Sequence, residues 1–315
     1  MKTLRVSMLF LALVFGCLTV TATPINVLAQ QPYWSEPHLF VITPPSGWTI
    51  NEKAANVTVQ FEARVANVSV AVVKVIVGTV VGFTVADMIS NLKKVSSVRL
   101  REFNLLSERP VKVAGVEGYE IVCTFKQDDT TFKEKLVVLR RDGYKFYLLD
   151  YLAFEVGYER YLTDADRSIG SFRFTERLTL DAEPRVASVT VNQTTYSAKD
   201  LPKTIFFVAG SEVSFSVTSP APESGLMGTL GARVIFDRWS GDLSASTQTA
   251  TIKMDGPKTV TAIWKTDYTS AYITLGVIVL VVVLVIVGGV VVVRRKAAPP
   301  PRRAIRRHRQ GQKSR

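Results

Sequence analysis

The spacing of apolar and polar positions changes several times along this 315-residue chain, and each change predicts a different element. Leu39-Phe40-Val41-Ile42 reads as a short strand halted by the turn composition Pro44-Pro45-Ser46-Gly47. Val57–Ala63 and Asn67–Val77 follow as strands rich in β-branched residues. Between Phe83 and Leu100 the period lengthens. Val85, Met88, Ile89, Leu92 and Val95 recur at three- and four-residue steps, which marks one face of a helix. Four further strands are expected at Phe103–Arg109, Val116–Phe125, Thr131–Arg140 and Tyr144–Phe154, with Gln127-Asp128-Asp129 and Asp142-Gly143 as turns between them. Tyr158, Tyr161, Leu162, Ala165 and Ile169 then support a closing helix. Strand groups separated by helices predict an α+β antiparallel sheet domain with packed helices over 34–177.

After a polar stretch taken as a linker at 178–185, the pattern becomes short strands alone. Residues 186–267 predict a small all-β domain of six strands, turning at Pro220, Gly225, Gly231, Gly241 and Asp255-Gly256-Pro257.

The two ends carry uninterrupted apolar runs. Ile273–Val293 holds twenty-one uncharged residues, about 31 Å as a helix, which matches the hydrocarbon thickness of a bilayer. It has no polar face, as a helix on a soluble core would require. One transmembrane helix at 273–293 is therefore expected, flanked by Arg294, Arg295 and Lys296. Lys2 and Arg5, the apolar Val6–Val20 and the small positions of Val27-Leu28-Ala29 together read as a signal peptide, 1–29. An uncleaved signal anchor is the alternative, and its apolar core is short for a full span. Val14-Phe15-Gly16-Cys17 has the outline of a lipidation site, but Phe15 is bulky where such sites are small, so Cys17 is read as a small hydrophobe.

Charge supports an orientation rather than nucleic-acid binding. Of 39 Lys and Arg, ten lie in 294–315 and two are Lys2 and Arg5, leaving 27 against 27 Asp and Glu between the apolar runs. A basic excess on one flank is the positive-inside pattern, so 294–315 is expected to be a cytoplasmic tail and the preceding domains extracellular. The same tail is a candidate for contact with anionic lipid. No nucleic-acid partner is expected. Without Cys17, Cys123 has no partner for an internal disulfide, so the folded part must be held by its cores. Asn56, Asn67 and Asn192 begin candidate glycosylation triplets.

The first domain resembles the PsbP-like family. The matching residues are Phe40-x-Ile42-x-x-Pro45-x-Gly47-Trp48, the helix after Gly82, and Ser107-x-x-Pro110-Val111-x-Val113-Ala114-Gly115-x-x-Gly118-Tyr119. That resemblance implies a sheet with helices on its faces and an exported accessory role without catalysis. Phe236-Asp237-Arg238-Trp239-Ser240-Gly241-Asp242 and Thr251–Trp264 resemble a divergent bacterial repeat module related to internalin B-repeats. This second resemblance implies a spacer or adhesion role, and together they suggest a prokaryotic, more narrowly an archaeal, single-pass surface protein.

Candidate chemistry is sparse. His38 and His308 are the two histidines, and they fall on opposite sides of the expected span. Cys123 alternates with polar neighbours in Tyr119-x-Ile121-x-Cys123-x-Phe125, which places it on an apolar face as a structural thiol. Asp128-Asp129 and Asp242 lack a full calcium-ligand spacing and are read as turn residues. Trp239, flanked by Asp237 and Arg238, is either a core residue or a candidate binding residue, and the repeat resemblance favours the core. No catalytic, cofactor-binding or metal-binding residue is assigned. The leading expectation is a non-enzymatic, membrane-anchored cell-surface protein whose ectodomain binds or scaffolds an unidentified ligand or protein partner. A receptor or transporter or secretion accessory subunit is the alternative, and an extracytoplasmic hydrolase ranks below both.

Overall fold

A computed structural model describes residues 31–297. The expected signal peptide, Cys17, His308 and the tail beyond 297 lie outside the described residues. The chain divides into two compact units, the first comprising residues up to Thr179 with the segments Thr204–Val213 and Ile252–Thr259.

In the first unit, strands β1 (Tyr33–Ser35), β2 (Phe40–Ile42), β3 (Thr49–Asn51), β4 (Val59–Val65) and β5 (Val68–Thr79) precede helix α1 (Val85–Arg99). Strands β6 (Arg101–Val113), β7 (Val116–Gln127), β8 (Thr130–Arg141) and β9 (Lys145–Phe154) follow, then α2 (Tyr158–Ser171) and β10 (Arg173–Glu183). Seven strands form one antiparallel sheet in the order β3-β4-β5-β9-β8-β7-β6. The strand period of two sorts its side chains onto two faces. One face carries Val73, Val75, Val137, Tyr147, Leu149 and Tyr151, covered by Ala165 and Ile169 of α2. The other carries Ile76, Leu136, Val138, Phe146 and Leu148, covered by Met88, Ile89 and Leu92 of α1. A sheet with a helix on each face is the arrangement that the PsbP-like resemblance implies.

Local chemistry fixes the ends of these elements. Thr84 caps α1 in a reciprocal box: its Oγ1 accepts from Asp87 N at 3.1 Å while Thr84 N donates to Asp87 Oδ2 at 2.9 Å. Gly118 sits where β7 crosses close to β8, and a Cβ there would lie 2.5 Å from Val138 O. Edge strand β6 is thirteen residues long and protected by two register irregularities, by Pro110 and by charged side chains.

The expected linker at 178–185 requires correction. Strand β10 runs to Glu183, and Leu178, Leu180 and Ala182 are buried at alternate positions. Arg177, Thr179, Asp181 and Glu183 occupy the opposite parity, so a polar composition disguised an amphipathic strand.

The second unit comprises Leu180–Lys203, Ser214–Thr251 and the chain from Val260 onward. Along this part of the chain lie β11 (Val189–Val191), β12 (Thr194–Tyr196), β13 (Lys203–Val208), β14 (Glu212–Ser216) and β15 (Ala221–Pro222). They are followed by α3 (Gly225–Thr229), β16 (Arg233–Gly241), β17 (Thr249–Lys253), β18 (Lys258–Asp267) and α4 (Thr269–Ala297). Strands β12, β11, β14 and β17 form one sheet, and β15, β16 and β18 pair antiparallel. The expected all-β pattern gains the short helix α3 where only turns at Gly225 and Gly231 were anticipated.

Periodicity left both faces of β16 mixed, and a bulge is the reason. The β16–β18 register shifts between Phe236 and Arg238, so Val234 and Phe236 face the core before the bulge and Trp239 faces it after. Strand β18 leads through Tyr268 into α4, whose first turn is capped by Asp267 Oδ1 accepting from Thr269 N at 2.9 Å. From Thr269 to Arg295 this helix is long and apolar enough to cross a membrane, and its most apolar stretch is not buried in the fold.

Candidate functional sites

The densest constellation of reactive side chains lies inside the first sheet, on the face beneath α1. Neighbouring strands each contribute one polar residue to a row across it: Lys74 from β5, Asp150 from β9, Glu134 from β8 and Cys123 from β7. The register places Lys74 opposite Asp150 and Glu134 opposite Cys123. Lys74 Nζ lies 3.0 Å from Asp150 Oδ2, with side chains 2% and 0% exposed. Cys123 Sγ donates to Glu134 Oε2 at 3.6 Å. Apolar clusters flank this row, one under α1 and one built from Val72, Phe125, Phe132 and Leu152.

Charge in such a place is costly unless it is matched. One lysine faces two carboxyl groups, and Glu134 Oε1 and Asp150 Oδ1 are buried without a hydrogen-bond donor. Burial first, then the Asp150 charge, push the Glu134 carboxyl well above the ordinary carboxylate range. Burial and the neighbouring Glu134 likewise raise the Cys123 thiol, which disfavours the nucleophilic thiolate. The row therefore resolves into a Lys74–Asp150 ion pair beside a proton-holding Glu134.

That assignment has a signed consequence. A carboxyl whose folded pKa is raised contributes stability at low pH and loses it as pH climbs through the folded value. Wild-type stability should therefore decline as pH rises above the ordinary glutamate value of 4.5. Glu134→Gln, which keeps the shape without a titrating proton, should flatten that decline in a series of denaturant melts. Equal slopes for the two proteins would place the titration elsewhere. Glu62 and Glu120 act in the opposite sense. Burial pushes each up, but Ser69, Asn51, Gln60 and Arg64 around Glu62, and Arg109 and Lys135 around Glu120, outweigh it and lower both. Their contribution is lost as pH falls.

Cys123 sits on a buried face as the alternation predicts, but the charged residues sharing that face were missed. The available signal was one charged position in each of three otherwise apolar alternations: Val72-x-Lys74-x-Ile76, Leu148-x-Asp150-x-Leu152 and Phe132-x-Glu134-x-Leu136. His38 lies elsewhere, half-buried in the turn before β2. Burial, then Lys145, hold its imidazole below the usual range. Asp128 occupies the β7–β8 turn with a positive φ of 52°. Asp237 pairs with Arg238 at 2.5 Å and Lys265 at 3.1 Å on the surface. Among the described residues, no group of three or more His, Cys, Asp and Glu is placed to hold a metal ion.

Trp239 is 1% exposed and its Nε1 donates to Thr247 O at 3.0 Å, so its ring presents no face to a ligand. The binding alternative for Trp239 is thereby corrected. Asn56, Asn67 and Asn192 are all exposed. Asn67 occupies the tight β4–β5 turn, whereas the third member of its triplet, Ser69, is buried with its Oγ 2.5 Å from Glu62 Oε2. Asn192 Oδ1 accepts from Ser214 N at 2.8 Å, on the rim of a groove of about 460 Å³ lined by Thr190, Ser216, Thr249 and Thr251. A second groove, of about 590 Å³, lies in the first unit between the β6–β7 turn and Val208–Ser211, with Lys112 and Arg173 at its wall. Arg294 and Arg295 close the apolar stretch of α4 and are exposed.

No protein-family model matches the chain, and no curated protein matches it. Among solved structures it is similar to cyanobacterial PsbP (CyanoP) from Synechocystis sp. PCC 6803, at 18% identity over 49% of this chain and 97% of that one, with a TM-score of 0.38. It is also similar to LpqN, described as involved in cell envelope biogenesis of Mycobacterium tuberculosis, at 14% identity over 47% of this chain and 91% of that one, with a TM-score of 0.37. No residue role is carried over from either protein.

Proposed function

We propose that this chain is a single-pass envelope protein without catalytic activity, whose folded units stand outside the cytoplasmic membrane and bind or scaffold a partner. The observation that carries this reading is α4, an unburied apolar helix that continues directly from the last strand and ends in Arg294 and Arg295. An apolar helix of this length exposed to water would be an aggregation hazard, whereas a bilayer satisfies both its backbone and its side chains. The basic flank on one side supports this orientation. Support for a binding rather than a catalytic role comes from where the reactive groups lie. Lys74, Asp150, Glu134 and Cys123 are enclosed within the sheet, and the two grooves described above mix hydroxyl, amide and basic groups with apolar side chains. Exposed Asn56 and Asn192 fit glycosylation on the outer side, whereas the Asn67 triplet has its Ser69 turned inward onto Glu62, and the basic residues after 293 fit contact with anionic lipid.

Protease added to intact cells should degrade the folded units and spare a tag placed after Arg315. A cleaved tag with protected folded units would reverse the orientation. Release of the whole chain into the soluble fraction would remove the anchor.

A further inference from the structure

Leu226 in α3 is 75% exposed although it lies in an ordered, hydrogen-bonded loop. Leu230 N donates to Leu226 O at 3.1 Å, Ala232 N to Met227 O at 2.8 Å, and Thr229 Oγ1 to Gly225 O at 3.0 Å. Such bonding rigidifies the loop without covering its leucine.

The register shows where this loop lies in the second unit. Arg233, which begins β16, pairs with Asp267, which ends β18, so the loop before β16 and the start of α4 occupy the same end of the ladder. They also touch. α3 packs against α4, Ala271 in the first turn of α4 is fully buried, and a Cβ on Gly231 would lie 3.3 Å from Ser270 Cβ. Gly231 has φ of +103°, a conformation that side-chain-bearing residues rarely adopt, so glycine permits this close approach. Thr266 Oγ1, donating to Glu223 Oε2 at 3.2 Å, ties β18 to the other end of the loop. Beside it, Tyr268 and Tyr272 form an exposed ring pair with centroids 6.0 Å apart. Tyrosines at the mouth of a span favour the headgroup layer, where an amphipathic ring meets both apolar and wet surroundings.

We infer that α3 is an interfacial foot: Leu226, with Tyr268 and Tyr272, inserts into the bilayer interface around the entry point of α4 and holds the second unit at a fixed height on the membrane. This inference rests on α4 spanning the bilayer. A span alone would leave the unit free to swing on the chain entering the helix. A second, laterally displaced apolar contact, coupled to α4 through Gly231 and Ala271, restricts that motion, and the occupant that covers Leu226 is lipid.

The test uses the full chain in phosphatidylcholine vesicles, with an environment-sensitive fluorophore on single introduced cysteines and nitroxide-bearing lipids as quenchers. The natural Cys123 is buried and does not compete for label, and Cys17 is replaced by serine throughout. Leu226→Cys reports on the foot, Val285→Cys on mid-helix α4, and Ser246→Cys on an exposed position near the opposite end of β16. The expected result is quenching with blue-shifted emission at 285 and 226, the latter strongest with headgroup-proximal nitroxide, and aqueous emission at 246. If position 226 behaves like 246 while 285 is quenched, the foot is overturned and the anchor stands. If 285 itself stays aqueous, the anchor reading falls first.

Discussion

Replacing Lys74 by methionine should destabilise the first unit by about 3–5 kcal/mol, the cost of leaving a buried charge without its partner. The aliphatic stem is retained, so the loss reports the ammonium group rather than a cavity. Its target, Asp150, is fully buried and already carries one oxygen without a donor, and Glu134 beside it is the proton-holding acid. Removal of the only lysine in this row takes away the charge that lowers the Glu134 carboxyl, which burial already pushes up, so the defect should grow as pH rises. Lys74→Met combined with Asp150→Leu removes both charges at similar volume and should recover most of the loss, because a matched apolar pair is often no worse than a buried ion pair. Chemical denaturation of the two variants, alongside the single Asp150→Leu, gives the coupling directly. Additive losses would show that the pair does not act as a unit.

The architecture of the first unit was legible because most of its faces obey one period throughout. The near-continuous apolar runs of β5 and β9, buried on both faces, the alternation in β7 and the three-and-four spacing of Met88, Ile89 and Leu92 each mark what is buried. What escaped the reading were places where two signals conflict. In Lys74, Glu134 and Asp150 the period says inside and the charge says outside; the period won because Lys74 pairs with Asp150, and Cys123 donates to Glu134, across neighbouring strands. In β10 the charged residues at alternate positions hid Leu178 and Leu180. Residues at a distance also decide cases that a window cannot see. Leu226 is one apolar residue beside Met227 in a glycine-rich turn until the β16–β18 register sets it beside the start of α4. The candidate surface sites were legible only as residue types: the Asn67 triplet reads the same whether Ser69 is free or, as here, turned inward onto Glu62.

Trp239 shows how one inserted residue changes the expected result of a mutation. Strict alternation through Val234, Phe236 and Arg238 would turn Trp239 toward the opposite face, and an exposed tryptophan there could be truncated with little change in melting. The bulge at Asp237 resets the parity, leaving Asp237 outside with Arg238 and Lys265 and bringing Trp239 in. Its ring then packs 5.6 Å from Phe215 and 5.1 Å from Phe236, centroid to centroid, joining the two sheets of the second unit. Its backbone N donates to Ala245 O at 2.7 Å, so the same residue also pins the loop after β16. Trp239→Ala should cost about 3–5 kcal/mol, since it empties a large buried volume that the surrounding strands can only partly refill. In a unit of this size that corresponds to a fall on the order of 20 °C in its calorimetric transition. Trp239→Phe should lose less, because most of the apolar volume remains and the bond to Thr247 O is what disappears. A transition unmoved by Trp239→Ala would mean the ring is not in the core, and Trp239 would return to the surface as the residue to test against partners.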